Sequence, residues 1–538
     1  MRERPQIPLE TRQAQADATH PQHSAWVSAN AGSGKTFVLT RRVIRLLLSG
    51  VAPSKILCLT YTKAAAAEMS NRVFGTLGKW AALDDAKLRE ELEDVTGEPP
   101  SARDLERART LFALSLDSPG GLRIQTIHGF CEALLHQFPL EANVSGHFEV
   151  IDEATQEALL AEARRQVILE MDSGARSVDL GKAWGQLLDL ASDDGIEKAL
   201  SELTAKREAF LEWTSEGIAA AMEPLWRHHG IAPQTREIDL MREGLAQSGF
   251  SAAELSRIAE FAQTTPQVAN QDTAQALSSF VQSDSDSKRF RLWTRIFLTQ
   301  KNEPKSNRSI LTSSVTNAFP GLSEKLDREK QLVFSQLKRL QAFRTLKASQ
   351  ALFEVGHEIL LRYLSLKRRR GLADFSDLIS ATVNLLARSH MRHWVQYKLD
   401  RGIDHVLVDE AQDTSPAQWE IVRALTDDFH SGLGAGGKVR TVFAVGDEKQ
   451  SIYSFQGADP RKFSAEAEEL KRRTMLAGLE FKSVPLKLSF RSAPDVLTAV
   501  DTVFEVEENF RGLSHTETRT VHQSVRMRDP GDVWIWPL

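Results

Sequence analysis

Eight residues near the start of the chain have the types and the order of a loop that holds phosphate groups. The segment reads ANAGSGKT and lies between an apolar run and a predicted helix. Its two glycines allow backbone N–H groups to turn toward phosphate oxygens, and the N-terminus of the following helix favours negative charge. Lys35 adds a point charge for the β- and γ-phosphates, and the Thr36 hydroxyl is suited to Mg²⁺. We therefore predict a site for a nucleoside triphosphate with magnesium, formed by Ala29, Asn30, Ala31, Gly32, Ser33, Gly34, Lys35 and Thr36.

A pair of adjacent carboxylates follows a second apolar run, about 370 residues later, in the segment Val406–Asp413 (VLVDEAQD). At the end of a strand, Asp409 can hold Mg²⁺ directly or through water, and Glu410 can take a proton from an attacking water. Acidic residues also often begin helices, so this pair alone is a weak signal. Together with the phosphate loop, it predicts the second half of one nucleotide site.

Short apolar runs alternate with helical patterns around both motifs, and this alternation predicts an α/β fold with a parallel sheet. The predicted strands are Ala25–Ser28, Lys55–Thr60, His405–Val408 and Val439–Val445. The predicted helices beside them are Lys35–Leu48 and Ala64–Phe74, and a last strand–helix pair begins near Leu486.

Helical periods dominate two long stretches, from about Trp80 to Asp117 and from about Asp152 to Arg370. Apolar residues recur there at helical spacing with charges between them. Within the second stretch, Gln263–Lys288 is rich in Ser, Thr, Asp and Gln, which predicts a mobile loop. The pattern indicates large all-α insertions in an α/β core.

Composition restricts the class of protein less than the motifs do. A length of 538 residues predicts several domains. The net charge of −5 gives no support for a nucleic-acid-binding protein, so any such surface is local. One candidate is Lys367–Arg370 (KRRR), which is also typical of a solvated helix end. Cys58 and Cys131 are expected to be small core residues.

The first residues, MRERPQIPLE, contain no apolar signal-peptide region, and no run of 18 apolar residues occurs along the chain. We therefore expect a cytoplasmic protein without a membrane partner.

Six ordered segments resemble the motifs of the UvrD/Rep branch of superfamily 1 DNA helicases. They are Ile56–Val73 (ILCLTYTKAAAAEMSNRV), Thr126–Phe130 (TIHGF), Asp374–Leu378 (DFSDL), Asp409–Asp413 (DEAQD), Val445–Ala458 (VGDEKQSIYSFQGA) and Leu488–Ala493 (LSFRSA). Within that family, the stretches SANAGSGKT and LCLTYTKAAAAEM and the long helical insertion are most similar to the AddA group. AddA proteins are the helicase–nuclease subunits of bacterial double-strand-break repair complexes.

The resemblance implies two RecA-like P-loop domains with helical insertions. It places the first domain at 1–79, 121–151 and 371–475, a small helical insertion at 80–120, and a helical domain at 152–370. The start of a second RecA-like domain, truncated, is expected at 476–538. Because nothing downstream of Arg491 resembles the remaining family motifs, we expect this chain alone to turn over ATP weakly and not to unwind duplexes.

The activity implied is that of an ATP-dependent 3′–5′ DNA helicase subunit, with ATP and Mg²⁺ as cofactors. Such a subunit couples ATP hydrolysis to translocation on single-stranded DNA in double-strand break repair by recombination. The implied partners are single-stranded and duplex-end DNA and an AddB-like subunit. Two alternatives remain: a UvrD-like monomeric repair helicase, and an ATP- or DNA-binding module without motor activity.

Further nucleotide contacts follow from the resemblance. Gln450 is expected to sense the γ-phosphate or the attacking water. Arg491 is expected to act as an arginine finger from the second domain, with Phe490 stacked on adenine. For adenine selection, both Gln13 and Gln15 qualify, and the spacing favours Gln15.

Aromatic side chains near these motifs can stack on any base, which suits a grip on single strands without sequence preference. Without the resemblance, Tyr453 and Phe455 would be interpreted as core residues. Threonine and lysine side chains can reach backbone phosphates. The expected DNA contacts are Thr60, Tyr61, Thr62, Lys63, His128, Tyr453 and Phe455.

Overall fold

The computed structural model describes residues 7–118, 121–171, 175–387, 394–395, 398, 403–430, 439–452, 458–511 and 521–536. Two compact units make up the chain. Unit 1 contains Met1–Asp152 and Arg370–Leu538, and unit 2 contains Glu153–Arg369. In the described ranges, no helix is long and apolar enough to cross a lipid bilayer.

Unit 1 is built on a parallel sheet of six strands. The described strands of the chain are β1 (Ser24–Ala29), β2 (Ile56–Thr60), β3 (Arg123–Thr126), β4 (Glu149–Val150), β5 (Leu372–Ala373), β6 (His405–Val408), β7 (Thr441–Gly446), β8 (Phe481–Leu486), β9 (Leu488–Ser489) and β10 (Gln523–Ser524). The sheet has the order β3-β2-β6-β7-β1-β8. Two short parallel pairs, β4–β5 and β9–β10, lie outside it.

Helices cover both faces of this sheet. The described helices of unit 1 are α1 (Leu9–Ala18), α2 (Lys35–Leu48), α3 (Lys63–Ala82), α4 (Asp85–Thr96), α5 (Ala102–Asp117), α6 (Ile127–Gln137), α19 (Phe375–Ala387), α20 (Pro416–Thr426), α21 (Pro460–Leu476), α22 (Pro494–Val503) and α23 (Glu507–Phe510). Successive strand residues serve opposite cores: Leu57 packs with α6, α19 and α20, and Cys58 packs with α2, α3 and α5. A strand buried on both faces explains the continuous apolar runs in the sequence.

The observed bounds of several elements in unit 1 agree closely with those predicted from the sequence. The helix Lys35–Leu48 and the strand His405–Val408 have the predicted bounds, and the helix predicted at Ala64–Phe74 continues to Ala82. Cys58 and Cys131 are buried as expected, and burial raises the pKa of both thiols.

The sheet extends past the boundary predicted at residues 475 and 476. Strand β8 pairs with β1 along its whole length, from Ser24 opposite Phe481 to Ala29 opposite Leu486. The predicted start of a second domain at 476 is therefore wrong for residues 481–486, which complete the first sheet. Exposed residues and Pro485 within β8 obscure its strand pattern.

Unit 2 is helical. Its helices are α7 (Glu153–Glu170), α8 (Ala175–Leu190), α9 (Asp193–Ala205), α10 (Arg207–Trp213), α11 (Ile218–His228), α12 (Glu237–Ala246), α13 (Ala252–Gln263), α14 (Val268–Gln282), α15 (Asp286–Phe297), α16 (Asn307–Ile310), α17 (Ser313–Ala318) and α18 (Leu322–Arg370). The core packs apolar residues of α11–α18. The buried carboxylate of Glu329, in α18, accepts hydrogen bonds from Trp293 Nε1 (2.8 Å) and the Gly249 N–H (3.0 Å).

The loop predicted at Gln263–Lys288 is wrong, because most of this segment is helical. In α14, Ala274, Leu277 and Phe280 are buried at helical spacing in the unit 2 core; of the polar residues between them, Gln275 is exposed, and Ser278 and Ser279 are half-buried. A segment rich in Ser, Gln and Asp can therefore form a helix that buries a narrow apolar stripe.

The basic run at the end of α18 does not form one exposed patch. Lys367 is only 2% exposed and its ammonium lies 4.4 Å from the centre of the Tyr363 ring. The three following arginines are exposed. The run is therefore a helix end with one packed lysine.

Candidate nucleotide-binding site

The phosphate loop connects the carboxyl end of β1 to the first residue of α2. Gly32 has a φ of +71° and Gly34 a φ of +91°, a left-handed conformation that favours glycine. Two hydrogen bonds hold the first half of the loop: the Asn30 N–H donates to the Leu486 carbonyl (3.1 Å), and the Ser33 N–H donates to the Asn30 carbonyl (3.1 Å). These bonds set the shape of the loop before any ligand contact.

The loop has the properties that a phosphate group requires. Gly34 caps α2 without a side-chain hydrogen bond, so the first N–H groups of that helix have no side-chain acceptor at the cap. The Ser33 hydroxyl is buried and has no hydrogen-bond partner among the described residues. An anion at the helix N-terminus would satisfy such donors, so the residues fit a bound phosphate.

Lys35, the lysine of the loop, is paired with the predicted general base. Its ammonium lies 2.7 Å from Glu410 Oε2. Glu410 follows β6 and has a φ of +46°, one of few non-glycine residues in the described ranges with a positive value. Such backbone strain occurs where surrounding contacts over-determine the conformation, often at functional sites.

Asp409, the predicted magnesium ligand, lies between β6 and Glu410. Its Oδ1 accepts the Glu410 N–H (3.0 Å), and its own N–H donates to the Leu59 carbonyl (2.9 Å). Burial, followed by the negative charge of Glu410, raises the pKa of Asp409 to about 6. A carboxyl group made unfavourable as an anion is suited to a cation, because the cation's charge offsets the cost of burial.

The loop after β7 brings a third group of polar side chains to the same edge of the sheet. Gln450 donates to Asp447 Oδ2 (2.5 Å), and the neighbouring Lys449 donates to Asn30 Oδ1 of the phosphate loop (3.0 Å). Strands β6, β7 and β1 are adjacent, so their carboxyl ends meet. Lys449 was not predicted as a site residue; its position directly before Gln450 was the available signal.

Phe490 and Arg491 also lie against the phosphate loop. The Phe490 N–H donates to the Gly32 carbonyl (2.8 Å), and a Cβ added at Gly32 would lie 2.6 Å from Arg491 Cβ. A Cβ added at Gly34 would lie 4.0 Å from the Phe490 ring. The structure therefore brings together the two residues and the loop, although 456 positions separate Gly34 from Phe490.

The two glutamines considered for adenine selection differ in exposure. Gln15 is buried in α1 and 6% exposed, whereas Gln13 is exposed. Gln13 lines a groove of about 570 Å³ between α1 and the end of β8, where Ser483, Val484 and Pro485 form the other wall. The next residue, Leu486, is hydrogen-bonded to the phosphate loop.

The predicted DNA contacts after β2 are placed unevenly. Thr60 is 3% exposed and its hydroxyl donates to the Thr62 carbonyl (3.1 Å), so its position disfavours contact with a phosphate. The Thr62 hydroxyl accepts the Ala65 N–H and caps α3. Tyr61 is half-buried, and Lys63, the first residue of α3, is exposed.

His128, on α6, lies beside an aromatic residue that the sequence did not single out. Its ring centre is 5.1 Å from that of Phe375 at an interplanar angle of 64°. Phe375 is 47% exposed at the start of α19, where Asp374 and Asp377 cap the helix reciprocally. Burial lowers the pKa of His128, so the ring is held neutral. Tyr453 and Phe455 lie outside the described residues.

Comparison with known proteins places this arrangement in a family. The UvrD/REP helicase N-terminal domain matches residues 9–471, and the chain belongs to that family. The resemblance inferred from the motifs is therefore confirmed.

Several relatives are named as ATP-dependent helicase/nuclease subunits of the A type, the AddA group expected from the sequence. The protein of Latilactobacillus sakei is 26% identical over 96% of this chain and 57% of its own length. Those of Lactobacillus helveticus and Enterococcus faecalis are 24% and 27% identical over 95% and 91% of this chain. The chain spans 41% and 38% of the lengths of these two relatives.

Proposed function

We propose that this chain is the ATP-binding part of a motor that acts on DNA, in an AddA-like helicase subunit of double-strand break repair. The observation that carries the proposal is the meeting of four separated segments at one sheet edge. They are the phosphate loop, the acidic pair after β6, the polar loop after β7, and Phe490 with Arg491. Family membership and the names of the relatives support the repair role.

In this proposal each side chain at the edge has a separate task. Lys35 and the loop N–H groups bind the β- and γ-phosphates, and Thr36 and Asp409 hold Mg²⁺, which neutralises phosphate charge when bound. Glu410 accepts the proton of the attacking water. Gln450 contacts the γ-phosphate or that water without carrying a charge that would compete for the metal.

The adenine base is proposed to lie near Phe490 and the groove beside α1. The sequence favoured Gln15, but the exposure of Gln13 and its place in the groove favour Gln13. Gln15 is buried within α1 and would have to leave the core to reach a ligand. Arg491 remains proposed as the arginine that stabilises charge on the γ-phosphate.

DNA is proposed to contact Lys63 and Tyr61 after β2 and the exposed ring of Phe375 beside His128. An exposed phenylalanine can stack on a base regardless of sequence, and a lysine can contact the phosphate backbone. Tyr453 and Phe455 stay proposed stacking residues. Translocation from 3′ to 5′, an AddB-like partner and a preference for duplex ends are proposed from the family alone, as is a cytoplasmic location.

The test is hydrolysis of radiolabelled ATP by the purified chain, with and without a single-stranded oligo(dT). We expect hydrolysis that is slow, that increases with DNA, and that Lys35→Ala lowers at least about 100-fold. Lys87→Ala, at an exposed lysine of α4, is the control and should match the wild type. Hydrolysis unaffected by Lys35→Ala would refute the proposed site. ATP binding without DNA-dependent hydrolysis would favour the non-motor alternative.

A further inference from the structure

One buried amide joins the two acidic loops beside the phosphate loop. Gln412 is 2% exposed and lies in the short 3₁₀ turn that follows Glu410. Its Nε2 donates to Glu410 Oε2 (2.8 Å) and to Asp413 Oδ2 (3.1 Å). Its Oε1 accepts the N–H of Asp447 (2.9 Å). The side chain therefore connects the proposed general base to the first residue after β7.

The end of β7 is shaped to admit this amide. A Cβ added at Gly446 would overlap Gln412 Oε1 and would lie 2.8 Å from the Phe463 ring. Gly446 does not have a positive φ, so its backbone conformation would accept other residues. Glycine at position 446 therefore leaves room for the Gln412 side chain and the Phe463 ring.

Glu410 accepts hydrogen bonds from two donors on the same oxygen, and they differ in kind. Lys35 is a cation that, in the proposed function, must also bind phosphate oxygens. Gln412 is neutral, is held at its other end by the Asp447 N–H, and donates to Glu410 and Asp413 through one amide nitrogen that carries two hydrogens. A neutral donor can fix the direction of a carboxylate without attracting phosphate oxygens as a cation would.

We propose that Gln412 is a positioning residue, which holds the Glu410 carboxylate in line for proton transfer and couples it to the loop Asp447–Gln450. This inference rests on the proposed function, because it assigns Glu410 the role of general base. Movement of the loop after β7 displaces the Gln412 amide, and through it the Glu410 carboxylate. The sensor Gln450 and the base Glu410 are thereby tied by one side chain.

Two substitutions separate the ends of this amide. Gln412→Met retains the volume and removes both hydrogen-bonding ends. Gln412→Glu retains an acceptor for the Asp447 N–H but places a second carboxylate against Glu410. Protonation of the new carboxyl at low pH restores a donor, so Gln412→Glu carries a pH signature that a purely structural residue lacks.

The experiment measures kcat and KM for ATP with saturating oligo(dT), in single- and multiple-turnover reactions. For Gln412→Met we expect kcat to fall about 10- to 100-fold with KM changed by less than about twofold. In a Glu410→Gln background, Gln412→Met should have little further effect, because the two residues act as a unit. Gln412→Glu should regain activity relative to the wild type as the pH falls. Gln336→Met, at a buried glutamine of unit 2, controls for loss of packing.

A wild-type kcat in Gln412→Met, or a wild-type pH profile in Gln412→Glu, would overturn the inference. Failure of the proposed function is a different result: the wild-type chain would then show no Lys35-dependent hydrolysis. In that case hydrogen exchange of the Asp447 amide decides the connection itself. Faster exchange of the Asp447 amide in Gln412→Met than in Gln336→Met supports the hydrogen bond between Gln412 and Asp447, and equal exchange rejects it.

Discussion

Lys35 and Glu410 form an ion pair 2.7 Å long across 375 positions of sequence. The lysine is 12% exposed and the glutamate 37%, so the pair lies at the mouth of the phosphate loop. The lysine begins α2, which follows β1, and the glutamate follows β6, so the ion pair joins the ends of two strands that β7 separates in the sheet. In the proposed function this lysine is shared between a carboxylate and incoming phosphates, which would connect ligand binding to the state of the proposed general base.

Gly32→Ala should disturb the contact between the phosphate loop and Arg491. The new Cβ would meet Arg491 Cβ at 2.6 Å on a residue whose φ is +71°, so both strain and overlap oppose it. We expect a loss of about 1–3 kcal/mol in the free energy of unfolding and a weaker affinity for Mg²⁺·ATP. Thermal unfolding and nucleotide titration measure the two effects.

Gly75→Ala is the matched control for that substitution. Gly75 lies within α3, where an added Cβ meets nothing within 4 Å. Alanine there should raise the free energy of unfolding by about 0.5–1 kcal/mol and leave ATP binding unchanged. Equal effects of the two substitutions on ATP affinity would argue against a specific role for the Gly32 contact.

Gln13→Ala should reduce the preference for ATP over GTP, because Gln13 lines the groove next to β8. A polar contact to a base contributes about 1–2 kcal/mol, which corresponds to a loss of about 5- to 30-fold in the ATP/GTP affinity ratio. Gln15→Ala should lower thermal stability without changing that ratio, since Gln15 is buried. A change in the ATP/GTP affinity ratio in Gln15→Ala but not in Gln13→Ala would instead assign adenine selection to Gln15.

Phe375→Ala should weaken binding of oligo(dT) by about 1–3 kcal/mol through loss of a stacking platform. ATP affinity measured without DNA should not change, because no contact joins Phe375 to the phosphate loop in the described residues. Fluorescence anisotropy with labelled oligo(dT) measures the loss. Phe261→Ala, at a 40% exposed ring of unit 2, is the control, and equal losses in both variants would contradict the proposed surface.

His405 and Asp409, at the two ends of β6, should give opposite pH dependences of stability. Burial and the nearby Arg42 lower the pKa of His405 to about 3, so acid favours the unfolded chain between pH 6.5 and about 3. The raised pKa of Asp409, about 6, favours the folded chain as the pH falls from 6 toward 3.8.

Substitution should reveal each slope by comparison with the wild type. As the pH falls from 6.5 to 5, His405→Asn should gain about 1 kcal/mol per pH unit relative to the wild type in the free energy of unfolding. Asp409→Asn should lose stability relative to the wild type over the same range, by a smaller amount. Urea unfolding at several pH values measures the free energy of unfolding of the wild type and both variants. Parallel pH profiles for the three proteins would refute the shifted pKa values of His405 and Asp409.

The central α/β elements could be predicted because their signals are local. Strand β1, the glycine loop and helix α2 follow one another without interruption, and strands β2 and β6 are continuous apolar runs buried on both faces. The same continuity made the phosphate loop and the Asp409–Glu410 pair readable from the sequence.

The features that could not be predicted depend on distant contacts. Strand β8 alternates buried and exposed residues at the sheet edge and contains a proline, so only its pairing with β1 identifies it. Gln412 lies within the segment Asp409–Asp413, but the segment alone does not reveal its proposed role, which comes from hydrogen bonds to Glu410 and Asp447. The exposure of Phe375 and the burial of Gln15 likewise depend on packing.

Equilibrium binding of a fluorescent ATP analogue with Mg²⁺, compared in Lys35→Ala and Glu410→Gln, separates phosphate binding from proton transfer at this site. We assign phosphate binding to Lys35 and proton transfer to Glu410. We expect Lys35→Ala to weaken binding at least about 30-fold, or about 2 kcal/mol. Glu410→Gln should bind as tightly as the wild type or more tightly, because it releases Lys35 from the ion pair, yet retain only a small residual rate of ATP hydrolysis. Wild-type affinity in Lys35→Ala, or wild-type hydrolysis in Glu410→Gln, would contradict this division of roles.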